Sequence, residues 1–145
     1  MLEFAKLEPI EDLRGFIKEH FDVDLPVRGG WGYDAATPVE IVDDTKLPKK
    51  QLQHIFATIR ANIEMHLMQE KGKGYSGINV KEIGRTQEED CEAVEYEITA
   101  LPEKLYEKFI NEYKAGYGKE DFDMEEHFRR RKEHTVSRKV KIYFK

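Results

Sequence analysis

Residues 48–72 read PKKQLQHIFATIRANIEMHLMQEKG, and the spacing within them decides how the rest of the chain must be arranged. Leu52, Ile55, Phe56, Ile59, Ile63 and Leu67 recur at i, i+3 and i+4, which at about 100° per residue gathers them into one stripe of an α-helix. Gly72 stands where a glycine in the left-handed conformation ends such a helix. A stripe that broad needs a surface to cover it, and the flanking sequence supplies one. Ile78 and Val80 alternate with polar residues, and so do Val94, Tyr96 and Ile98; the polar run Thr86–Asp90 between them predicts a β-hairpin with a long loop. Near the far end, Val136, Val140, Ile142 and Phe144 alternate with Ser137, Lys139, Lys141 and Lys145, the pattern of a half-buried strand.

The remaining segments fill in around that frame. Residues 8–21 are expected to form a first helix, with Pro9 in its opening turn, Glu11 and Asp12 at its positive end, and Ile10, Leu13, Ile17 and Phe21 on one side. Val23, Leu25 and Val27 alternate up to Gly29-Gly30, and Val39 and Ile41 continue extended to about Asp43. A helix from Pro102 carries Leu105, Phe109, Ile110 and Tyr113 and stops near Gly116 or Gly118. Another spans 120–133, with acids in its first half and Arg129–Lys132 in its last turn, as the helix dipole favours. No repeat, low-complexity tract or linker interrupts the 145 residues, so a single α+β domain over 1–145 is expected. Its order is α-β-β-α-β-β-α-α-β. Strands paired between helices imply a mostly antiparallel sheet of about five strands with helices packed on one face.

Composition narrows the function classes. Charged residues make up 37% of the chain, against about 25% on average, so the surface must be dense in ions. The longest run without Asp, Glu, Lys or Arg is Gln51–Ile59, far below the ~20 residues a membrane span needs; no membrane partner is expected. Met1–Lys6 mixes acid and base with no apolar run after it, which argues against a signal peptide. The single Cys91 allows no internal disulfide and fits the cytoplasm. A net charge of −5 argues against nucleic acid as the default partner. Residues 129–145 nevertheless hold eight bases against Glu133 alone, a local +7 that leaves −12 for the rest. RNA binding through this segment is one reading. The other is internal: were the last strand to lie beside the hairpin's second arm, Lys139 and Lys141 would face Glu95 and Glu97.

Four places carry candidate chemistry. Residues 28–34 read RGGWGYD: three glycines permit close backbone approach, while Arg28, Trp31, Tyr33 and Asp34 offer an anion contact, aromatic faces and a carboxylate to a planar or anionic ligand. The spacing is neither a P-loop nor G-x-G-x-x-G, and no cofactor is expected. On the central helix His66 and Glu70 stand one turn apart, a pair able to act as an oriented general base. With no H-E-x-x-H or H-x-H pattern beside them, no metal is expected there. Cys91, among Glu88, Glu89, Asp90 and Glu92, is a poor thiolate. Arg138 shares the strand face of Val136, Val140 and Ile142, so it needs a carboxylate, an opening or a ligand. Tyr106, Tyr113 and Tyr117 line one side of their helix, as at a core edge or an interface. Together these favour a non-catalytic module that binds a partner protein or a small ligand through Arg28, Trp31, Tyr33, Asp34, Arg138 and the tyrosine row. A small enzyme using His66 and Glu70, or an Arg-lined cleft, is the alternative.

Overall fold

The computed structural model describes residues 3–42 and 46–145. Asp12 sets where the first helix begins: its carboxylate accepts a hydrogen bond from the Gly15 N–H at 3.0 Å. Helix α1 therefore runs Leu13–Phe21 and not from residue 8, because a capping carboxylate satisfies an end N–H group that Pro9 cannot serve. Leu13 and Ile17 are buried. Strands β1 (Val27–Gly29) and β2 (Val39–Ile41) are shorter than their alternation implied, and Asp43 lies outside the described residues.

Helix α2 (Lys49–Asn62) starts after Pro48, as its spacing predicts. It does not continue as an α-helix. Residues Ile63–Leu67 form one wide π turn, in which the Met68 N–H reaches back to the Ile63 carbonyl at 2.9 Å. The wider turn changes the angular phase of every residue after it. Ile59 and Ile63 stay buried at 6% and 3% exposure, but Leu67, mid-stripe on a regular helix, is turned out to 53%, and Met65 is turned in to 0%.

The hairpin follows as β3 (Tyr75–Gln87) and β4 (Glu92–Pro102). Helices α3 (Glu103–Gly116) and α4 (Met124–His134) lead to β5 (Val136–Phe144). The five strands make one sheet in the order β1-β2-β5-β4-β3. It is antiparallel except where β2 meets β5, a parallel contact through the single pair Val39 and Phe144. Between β4 and β5 the register sets Glu95 opposite Lys141 and Glu97 opposite Lys139, so the charge matching read from the sequence holds. The same register lays Ile142, Val140 and Arg138 across from Val94, Tyr96 and Ile98. That inner face, with α1 and α2 over it, forms the core. Phe109 and His127 are buried outside this core, where α3 and α4 build an aromatic cluster with Tyr113, Phe122 and Phe128. The fold is α+β. Among the described residues no helix is long and apolar enough to cross a membrane.

Candidate functional site

Arg138 is the charge that β5 carries onto its apolar side, and the structure shows what meets it there. Its Nη1 lies 3.1 Å from Glu64 Oε1, and its guanidinium covers the Phe4 ring at 4.8 Å. Glu64 belongs to the π turn and is 2% exposed. One turn earlier, Arg60 is equally buried. Its Nη1 donates to the Trp31 carbonyl at 3.0 Å, its Nε stands 3.9 Å from Glu64 Oε1, and its plane stacks on the Tyr33 ring at 4.3 Å.

Tyr33 closes the cluster. Its hydroxyl donates to Glu64 Oε2 and accepts from the Leu7 N–H at 3.0 Å. Burial, then the adjacent carboxylate, holds the phenol well above its ordinary value, so it stays a donor at neutral pH. Burial pulls the Arg60 guanidinium downward, partly opposed by Glu64. Gly32 makes the approach possible: its φ is +82°, and a Cβ there would stand 2.7 Å from Ile142 Cγ2 and 2.9 Å from the Tyr143 carbonyl. Only glycine tolerates both.

These side chains form the floor of a cleft of about 360 Å³, with Glu3, Phe4 and Lys6 on one wall and residues 139–141 on the other. Three cations (Lys6, Arg60, Arg138) meet two carboxylates, Glu3 and Glu64, a formal excess of +1, while the side chains of Lys139 and Lys141 lie on the other sheet face opposite Glu97 and Glu95. Two guanidiniums share one deeply buried carboxylate. Taking a charge out of water is costly unless it is fully partnered, and here one carboxylate serves two guanidiniums.

Other residues singled out in the sequence stand elsewhere. Trp31 is core at 3% exposure, set between Phe16 and Phe56, with its Nε1 donating to the Glu8 carbonyl at 2.9 Å. Arg28 is exposed and pairs with Glu40 at 2.7 Å. Asp34 accepts from Ala36 N–H at 3.0 Å and from Thr37 N–H and Oγ1 at 2.9 Å, which makes it a turn residue. His66 turns to the Tyr75 carbonyl at 3.0 Å and to Glu103 at 3.4 Å, while Glu70 pairs with Lys73 at 3.0 Å. Neither contacts the Arg–Glu–Tyr cluster. Tyr106 lies beside Gly77 and under Arg131; the rings of Tyr113 and Tyr117 meet at 5.5 Å, inclined by 42°. Cys91 is buried at 5%. Among the described residues no three His, Cys, Asp or Glu side chains are grouped to hold a metal.

Tyr33 and Arg138 thus meet, and the residue that joins them, Glu64, was missed in the sequence, as was Arg60. A signal for Arg60 existed: at about 100° per residue it sits ~40° from Phe56, at the edge of the apolar stripe about 20° beyond Leu67. Glu64 had a weaker one, as the i+4 neighbour of Arg60. No protein-family model, curated protein or solved structure matches this chain, and the chemistry of the cleft therefore rests on the residues just described.

Proposed function

We propose that the chain is a binding module whose cleft takes an organic anion, a carboxylate attached to a small apolar body. The carrying observation is the imbalance at the floor: Arg60 and Arg138 share Glu64, and both guanidiniums are held in place by the Trp31 carbonyl, the Tyr33 ring and the Phe4 ring. A planar guanidinium fork fixed in this way recognises a carboxylate by direction as well as charge. Phe4 and Val140 supply apolar wall for the body of the ligand, and the cleft volume falls at the small end of ligand pockets, about 300–1,000 Å³. Binding suits these groups better than chemistry, since the Tyr33 hydroxyl is committed to Glu64 and held as a donor. The basic segment 129–145 lends less support to RNA. Arg129 and Arg130 pair with Glu126, Glu133 and Glu112, and Lys139 and Lys141 face acidic residues across the sheet.

Thermal shift separates the outcomes. 4-Methylpentanoate should raise the melting temperature progressively, with the logarithm of its concentration above Kd, through mass action, and 4-methylpentanamide should not. Arg138→Gln, which leaves Glu64 beside Arg60, should abolish the response while keeping the native circular dichroism spectrum. Equal shifts from acid and amide would sink the reading.

A further inference from the structure

The wall of the cleft is a strand edge, and its geometry points to the kind of ligand. Tyr143 donates its N–H to the Gly32 carbonyl at 2.9 Å, and Lys145 donates to the Val39 carbonyl at 2.7 Å. Odd-numbered residues of β5 therefore aim their backbone groups away from β4, since alternate residues of an antiparallel strand bond to alternate sides. Following that alternation, Lys141, Lys139 and Ser137 present N–H and C=O groups to the same side. Here β2 has already ended, its register with β5 being the single pair Val39 and Phe144. Among the described residues no backbone hydrogen bond from another segment meets them there, and both line the cleft together with Glu3, Phe4 and Lys6. An open strand edge of this kind is a template for one more strand.

Side-chain alternation then fixes what the strand would carry. Arg138 and Val140 are two residues apart on the inner face of β5 and both line the cleft. A strand laid alongside at about 4.8 Å turns every second side chain to that same face. Its inner-face residues would stand beside a guanidinium with a shared counter-ion and beside a valine. We infer that the cleft binds an extended peptide segment by strand addition to β5, with an Asp or Glu side chain on Arg138 and an apolar side chain two residues away against Val140. This rests on the anion reading above: the peptide is the apolar body, and its acidic side chain is the anion.

Two probes cover both strand directions, acetyl-Thr-Glu-Thr-Val-Thr-amide and acetyl-Thr-Val-Thr-Glu-Thr-amide. Titrated into the full chain by calorimetry, one should bind saturably, and its Glu→Gln counterpart should bind about 10-fold or more weaker, the loss of a charged hydrogen bond. Since only one edge of an added strand is used, N-methylation of one alternating set of peptide amides should weaken binding by about 10-fold or more and of the other set far less. The amide protons of Lys139 and Lys141 should gain protection from hydrogen exchange on binding. If both N-methylated sets bind as well as the parent, or if 4-methylpentanoate binds and neither peptide does, strand addition is wrong and the anion reading stands. If 4-methylpentanoate and both peptides all fail to bind, both readings fall.

Discussion

Glu64→Gln leaves Arg60 and Arg138 without the carboxylate they share. The substitution keeps shape and the Tyr33 hydrogen bond but strands two cations, one of them nearly inaccessible to water. Breaking a buried ion pair from one side costs about 3–5 kcal/mol, which urea denaturation would measure. A loss below about 1 kcal/mol would mean that the guanidiniums are satisfied without Glu64. Gly32→Ala tests the backbone approach that brings Tyr33 to the cluster. With φ at +82° and a Cβ pressed on the Tyr143 carbonyl, it should cost about 1–3 kcal/mol. A stability equal to that of the parent would show that the turn relaxes freely.

At the scale of elements, the π turn is tested by two truncations four residues apart. On a regular helix Ile63 and Leu67 would share one stripe and respond alike. With the turn in place, Ile63→Ala, at a site 3% exposed, should cost about 2–5 kcal/mol. Leu67→Ala, at a site 53% exposed, should stay within about 0.5 kcal/mol. Similar losses at both sites would return the segment to a plain α-helix. For β5, removal of residues 136–145 takes away the strand that joins β4 to β2, along with the fully buried Ile142 and Phe144. The truncated chain should be unfolded by circular dichroism. A native spectrum with an unchanged melting temperature would make the basic end a dispensable tail.

For the whole molecule, the shifted carboxyls and phenols predict where stability is lost at the two ends of the pH scale. The carboxyls of Glu112, Glu126 and Glu40 are held below their ordinary 4.5, chiefly by hydrogen bonds from His127, Arg129 and Arg28, and those of Asp24 and Asp34 below 3.8 by Arg14 and Thr37. A depressed carboxyl stabilises the fold above its unfolded value and loses that contribution as the pH falls through its folded one. Tyr33 and Tyr96 are raised above 10.0 by burial, so their contribution is complete below pH 10.0 and lost as the pH rises beyond it. Melting temperature should fall as the pH drops below about 4.5 and as it rises beyond about 10; an unchanged melting temperature at either extreme would contradict this assignment. The sequence by itself determined most of the elements, the hairpin, and the pairing of β4 with β5, because period-2 and period-3.6 patterns are local and the opposite charges of Glu95, Glu97, Lys139 and Lys141 agree with the apolar pattern on one register. It also marked Arg138 as a charge in need of a partner. Which partner was a tertiary matter. Glu64 lies buried within the π turn one turn after Arg60, and Tyr33 was joined to it by a glycine turn packed on β5. The open edge of β5 likewise exists only because β2 stops after one pairing, a fact of strand length and placement that no residue pattern records.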